Sequence, residues 1–256
     1  LNVTIKPTFS ISPTESVACV GQVKTITASG TGSFNWTVNG PGGVTGPVSG
    51  GNTYSLTLSL PGTYVVTAQS TSGVYFPTTP SAVIVVNPTP ATPTGTITGV
   101  TAVCTNTPYT YSMSVPPPPG SIYAWTANGG TVNGGGGQTV SVVWSGVPPM
   151  SLSVRTKSTL EPYCESAPLT IPISLYTPPT TFITGPASSC INQTATFQAT
   201  ALSNYTDIQW TIVPATAGSV ISGQGTSNIN VLFNSNASGV VQIVATAMVC
   251  GTALID

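Results

Sequence analysis

A pattern of cysteine, tryptophan and alternating apolar runs occurs three times in this chain of 256 residues. Aligned on cysteine, the copies read SPTESVACVGQVKTIT around Cys19, TGVTAVCTNTPYTYS around Cys104 and TGPASSCINQTATFQ around Cys190, at spacings of 85 and 86 residues. A tryptophan follows each cysteine inside an alternating run: Trp36 in SFNWTV, Trp125 in IYAWTA and Trp210 in IQWTI. Next come NTYSLTL, QTVSVVW and SNINVLF, then GTYVVTAQS, MSLSVRTKS and GVVQIVATA. Period-two alternation rich in Val, Thr, Ile and Tyr is the pattern of half-buried strands. A fixed repeat of this length predicts small stacked units rather than one large core.

Turn-forming stretches separate the runs: NGPGG, GPVSGG, PPPPG, NGGGG and SGQG. Gly supplies positive φ and Pro fixes φ, so they break strands rather than continue them. No stretch shows a helical period. About seven short strands in each copy of roughly 85 residues predict an all-β chain of tandem immunoglobulin-like β-sandwich domains. Proline-rich joints at NPTPATPT and YTPPTT favour extended spacers, hence an elongated array. The expected divisions are 1–7 as the last strand of a preceding or neighbouring repeat, 8–88 as repeat 1, 89–177 as repeat 2 and 178–256 as repeat 3 lacking its last strand.

Only nine residues are charged, four basic and five acidic, and there is no histidine. Four cations cannot neutralise a run of phosphates, so nucleic acid is excluded as a partner. So sparse a charge also predicts folding and assembly that respond little to salt. No apolar run reaches the roughly 18 residues of a membrane span. Leu1 has neither a basic start nor an apolar leader behind it, and the sequence reads as a mature or excised piece.

Cys104 and Cys164 lie 60 residues apart, as do Cys190 and Cys250. Equal spacing in two copies predicts one disulfide inside each of repeats 2 and 3, and an oxidising compartment. Cys19 is left unpaired, because the matching place near Thr79 has no cysteine. It is expected to be a buried thiol or to form an intermolecular bond.

Trp36, Trp125 and Trp210 are expected in the cores, packed against the cysteine pairs or their equivalents. Trp144 and Phe233, each ending an alternating run, are expected there too. Without histidine no Ser-His-Asp or Cys-His arrangement can be built, and no enzyme is expected. Glu161 and Glu165 in LEPYCES read as solvated loop residues rather than a glycosidase pair. No carboxylate run suits calcium, and thiolates held in disulfides leave none for zinc. No cofactor and no metal are expected. A carbohydrate-binding face would have Tyr123, Tyr163 and Tyr205 as its aromatic candidates. The sequons at Asn2, Asn35, Asn192, Asn204 and Asn236 are frequent by chance in a Thr-rich chain; the Asn35 side chain is expected to face outward.

A cysteine ahead of a Tyr- or Phe-rich strand, a Trp strand, a Gly-rich turn, a V-x-V-x-W or I-x-V-x-F strand and a final VCG resemble the PKD-like and Ig-like repeats of large Bacteroidota surface proteins. These include gliding and surface adhesins exported by the type IX secretion system. The resemblance implies a non-enzymatic stalk or adhesin segment at the cell surface, whose partners are further repeats of the same kind; the glycan or surface bound stays open.

Copies 1 and 2 end in one more strand, within SAVIVVNPTP and APLTIPISLYTPP, where copy 3 stops at CGTALID. The opening LNVTIKPTF reads as such a last strand, with Asn2, Val3, Thr4 and Ile5 as a candidate donor strand. Two readings follow: a window of a longer tandem array, or subunits that polymerise head to tail by lending residues 1–6 to the open third domain of a neighbour.

Overall fold

The computed structural model describes residues 1–200, 202, 205–235 and 237–256. Its buried apolar residues fall into three separate clusters, spanning Phe9 to Val86, Val103 to Ile173 and Phe182 to Val249. Each cluster lies between two sheets, so the chain is a tandem of three immunoglobulin-like β-sandwiches, here called domains 1, 2 and 3.

In domain 1 the strands are β1 (Ile11–Ser12), β2 (Glu15–Cys19), β3 (Val23–Ala28), β4 (Phe34–Gly40), β5 (Gly43–Gly50), β6 (Thr53–Thr57), β7 (Gly62–Ser70) and β8 (Ser81–Asn87). One sheet has the order β1-β3-β6 and the other β2-β8-β7-β4-β5. Domain 2 comprises β9 (Ile97–Thr98), β10 (Ala102–Val103), β11 (Pro108–Met113), β12 (Ser121–Asn128), β13 (Gly130–Asn133), β14 (Thr139–Trp144), β15 (Met150–Ser158) and β16 (Leu169–Leu175). Its sheets are β13-β14-β11-β9 and β10-β16-β15-β12. Domain 3 comprises β17 (Ile183–Thr184), β18 (Thr194–Ala199), β19 (Tyr205–Val213), β20 (Gly218–Ser222), β21 (Asn228–Phe233), β22 (Gln242–Val249) and β23 (Thr252–Ile255), in sheets β17-β18-β21-β20 and β19-β22-β23.

The alternation read from sequence sets which side chains face inward. Phe34, Trp36 and Val38 of β4 are buried, as are Met150, Leu152 and Val154 of β15 and Ala245, Ala247 and Val249 of β22. Trp36, Trp125 and Trp210 are buried, but they do not pack on cysteine pairs. Instead each indole N–H donates to a backbone carbonyl in the turn that precedes the second strand after its own: Gly51 at 3.1 Å, Gly137 at 3.0 Å and Thr226 at 2.8 Å. Each acceptor stands two residues ahead of its strand, β6, β14 or β21. A buried indole N–H needs a partner, and the turn supplies it in the same way three times.

Trp144 and Phe233 close the strands β14 and β21 and are buried. The Trp144 Nε1–H donates to the Tyr111 hydroxyl at 3.0 Å, which in turn donates to the Val100 carbonyl at 2.7 Å. Burial raises the Tyr111 phenol above its ordinary pKa, and the bond from Trp144 partly opposes that rise. Phe233 meets Phe197 edge to face at 6.5 Å.

The last sheet position distinguishes the domains. In domain 1, β8 is inserted between β7 and β2, which it pairs in parallel over five residues from Glu15↔Val83 to Cys19↔Asn87. In domain 2, β16 lies between β15 and β10, with Ala102 opposite Ser174 and Val103 opposite Leu175. Among the described residues of domain 3, β23 and Asp256 run up to the start of that position. Trp125 stands opposite Val154, and Val154 opposite Leu169; in domain 3, Trp210 stands opposite Ala245, which exchanges two 3.0 Å backbone bonds with Asp256. Asp256 therefore holds the place of Leu169, the first residue of β16. Among the described residues, Gln242–Val244 pair with β19 on one side and carry no ladder on the other.

Residues 1–6 form no strand, and Leu1, Val3 and Ile5 are exposed; beyond them the Phe76 N–H meets the Pro7 carbonyl at 2.9 Å and Phe9 enters the core. Among the described residues no helix is long and apolar enough to cross a membrane.

Candidate functional site: the junctions between domains

The cysteines correct the sequence reading. Neither Cys104–Cys164 nor Cys190–Cys250 is bonded; the disulfides are Cys19–Cys164 and Cys104–Cys250, and Cys190 is a free, exposed thiol. The reason is geometric. Cys104 follows β10, whose Val103 is opposite Leu175 at one end of β16, whereas Cys164 precedes Leu169 at the other end. Six strand steps separate Leu169 from Leu175, roughly 20 Å, while a disulfide needs Cα atoms within about 7 Å. The two cysteines of one domain stand at its opposite ends and cannot meet.

What does meet is the exit end of one domain and the entry end of the next. Cys19 closes β2 beside the last residue of β8, and Cys164 sits in the loop between β15 and β16; their Cα atoms are 5.6 Å apart. Cys104 and Cys250 repeat this between domains 2 and 3, Cys250 lying in the turn between β22 and β23, with Cα atoms 5.2 Å apart. Cys19 is thus not an unpaired thiol. It is the first half of a link whose second half lies 145 residues on, and the next link spans 146.

A polar contact crosses the first junction, and others order the receiving loop within domain 2. Asn87 at the end of β8 donates from Nδ2 to the Glu161 carbonyl at 2.8 Å. Arg155 Nη1 donates to the Ser166 carbonyl at 2.7 Å, and the buried Ser166 hydroxyl accepts from the Thr156 N–H at 3.0 Å. Lys157 Nζ pairs with Glu165 at 3.3 Å and lies 6.0 Å from the centre of the Tyr163 ring. Glu165 is therefore engaged with a cation, and Glu161 meets Asn87 through its backbone carbonyl.

The aromatic candidates are not brought together. Tyr123 is buried, its hydroxyl donating to Val115 O at 3.0 Å, and desolvation raises its pKa. Tyr163 is exposed on the junction loop of domain 2 and Tyr205 begins β19 in domain 3. The Asn35 side chain is half-buried and accepts from the Ser49 hydroxyl at 2.8 Å; Asn204 and Asn236 lie outside the described residues. Among the described residues no group of three or more His, Cys, Asp or Glu side chains is placed to hold a metal.

A groove of about 540 Å³ in domain 3 is lined by Ile183, Phe197, Phe233 and Ile243 together with residues 185–191, Cys190 among them. It adjoins the free edge of β22 and the free cysteine. Sequence reasoning gave no sign that a cysteine lines this groove.

Residues 177–254 match the model of a PKD-like domain, which is domain 3 almost end to end. No curated protein matches the chain. Among solved structures it is similar to the fibronectin(III)-like modules of Clostridium thermocellum CbhA, at 17% identity over 66% of this chain and 94% of that one, with a TM-score of 0.36. It is also similar to an I-band fragment of titin, at 12% identity over 99% and 97% with a TM-score of 0.30. A third likeness is to the Bacteroides ovatus mixed-linkage glucan locus protein SGBP-B in complex with a mixed-linkage heptasaccharide, at 12% over 97% and 67% with a TM-score of 0.23. Likenesses this distant carry no argument about ligand or activity.

Proposed function

We propose that this chain is a segment of an extracellular structural or adhesive fibre, built of PKD-like repeats and working without catalysis. The observation that carries this reading is the pair of equivalent disulfides, each joining one sandwich to the next rather than bracing a single core. Such bonds persist in oxidising compartments. Bonds between domains resist separation and bending, which is what a projecting stalk must do and a catalytic domain need not. Sparse charge and a surface wetted mainly by Thr, Ser, Asn and Gln suit a scaffold rather than a polyanion binder. Within this reading the chain is part of a large tandem-repeat surface adhesin of the Bacteroidota kind, exported by type IX secretion and of use in adhesion or gliding. A filament polymerised by strand exchange, with residues 1–6 entering domain 3 of a neighbour, is supported by the exposed alternation of Leu1, Val3 and Ile5.

Antibodies raised against the chain test the proposal on intact cells of its source. Label on fibres outside unpermeabilised cells is expected, together with a reduced, denatured species many times larger than 25.8 kDa. Label that appears only after permeabilisation overturns it, and a reduced species near that mass favours the exchanged filament.

A further inference from the structure

Each repeat carries a cysteine at the same place, just after the segment that lies beside the last strand, and two of the three are joined to the following domain. Cys190 is the third and is free. It does not stand alone on a surface, for this exposed cysteine lines the groove described above together with Phe197, Phe233 and Ile243. In domains 1 and 2 the corresponding space is filled by β8 and β16, with β2 and β10 on their far side. Among the described residues of domain 3, Gln242–Val244 carry no ladder on the side away from β19, and 187–190, the counterpart of β2, forms no strand. The same two junction features, a strand seat and a thiol at the exit end, are present together and unused.

We propose that this end of domain 3 is the docking site for a further repeat of the same type, delivered by an extended strand with alternate apolar residues that seats along Gln242–Val244, and locked by a disulfide from Cys190 to the cysteine in that repeat's entry loop. The inference rests on the fibre reading and names its covalent partner. Domain 1 of a second copy does not qualify as that partner. Its entry loop, residues 71–80, contains no cysteine, so a second copy offers a strand in Leu1–Lys6 but no thiol. The partner is a repeat with a cysteine where domains 2 and 3 have Cys164 and Cys250. By the spacing of the two existing bonds it lies about 146 residues beyond Cys190 along the array.

Formation of the bond needs an electron acceptor, here a small disulfide such as oxidised glutathione. The Cys190 thiolate attacks one of its sulfurs, forming a mixed disulfide and releasing one glutathione thiolate. The partner's thiolate then attacks the Cys190 sulfur and expels the second. Two protein thiols are oxidised, one small disulfide is reduced to two thiols, and the two protons pass to the departing thiolates.

Two measurements test this. A peptide with the β16 sequence, LTIPISL, added to the chain should occupy the groove, slow alkylation of Cys190 at least several-fold and raise the melting temperature of domain 3. A scrambled peptide should do neither. Equal alkylation rates with the two peptides overturn the strand seat. In the native protein, non-reducing peptide mapping should find Cys190 joined to a cysteine about 146 residues downstream; a free thiol, or a Cys190–Cys190 bond between copies, overturns the link. Surface labelling with Cys190 found free would defeat this inference and leave the fibre reading intact, whereas an intracellular protein with Cys190 so bonded would do the reverse.

Discussion

Domains 1 and 3 meet the same edge and complete it differently. In domain 1, Glu15–Cys19 is a strand with β8 beside it, and Ala18 and Cys19 are buried, the first in the core and the second in its bond to Cys164. In domain 3 the corresponding Ala187–Cys190 is exposed and forms no strand, and nothing pairs with Gln242–Val244 across the groove among the described residues. The difference teaches that this segment is a strand where β8 runs beside it and none where no such neighbour is paired, as expected where β-structure reflects partners more than intrinsic preference.

The largest perturbation is to break the closed edge of domain 1. Ile84, fully buried in β8, is the hinge of that packing, and Ile84→Ala should cost domain 1 about 2–5 kcal/mol in chemical denaturation. Amide exchange at Val17 and Ala18 should accelerate with it, bringing their behaviour toward that of 187–190. Unchanged exchange there would mean that β2 is a strand in its own right.

High pH should separate domain 2 from both neighbours. Tyr111 and Tyr123 have phenols whose pKa is raised by burial, while the unfolded chain ionises its tyrosines near about 10. Above that value the folded state holds protons that the unfolded state has released, so stability is full below it and is lost as pH climbs toward the raised values. With Cys190 capped by iodoacetamide, scanning calorimetry from pH 9 to 11 should show the domain 2 transition falling furthest. A parallel decline of all three domains would refute the assignment.

The smallest expected effect concerns how far domain 3 has closed itself. The Asp256 carboxylate accepts the backbone N–H groups of Phe182 and Ile183, the latter at 2.6 Å, and so ties the end of β23 to the entry of the domain. Asp256→Asn should weaken domain 3 by about 1 kcal/mol while leaving domains 1 and 2 untouched. Equal unfolding midpoints for the two proteins would show that the tie contributes nothing.

Much of this was legible in the sequence, because period-two runs between Gly and Pro turns leave little choice of architecture, and Trp36, Trp125 and Trp210 mark the same inward strand three times. The cysteine pairing was not. Equal separations belong to any repeat, and linking each first cysteine to the next domain gives separations as uniform as linking it within its own. The signal that separates the two schemes is the copy with one cysteine: a link from each domain to its successor requires nothing of the loop before Pro80, and it employs Cys19. The indole bonds to Gly51, Gly137 and Thr226 were likewise missed, since a backbone acceptor leaves no trace in side-chain pattern.

The two disulfides overlap along the chain, because Cys104 comes before Cys164. A protease that cuts one peptide bond anywhere between Cys19 and Cys250 therefore leaves the pieces joined: the first link bridges every cut up to Cys164, and the second bridges every cut from Cys104 onward. Like the strands of a spliced rope, the polypeptide and its sulfur bonds run side by side, and a single enzymatic nick in an exposed loop shortens nothing until the thiols are also reduced.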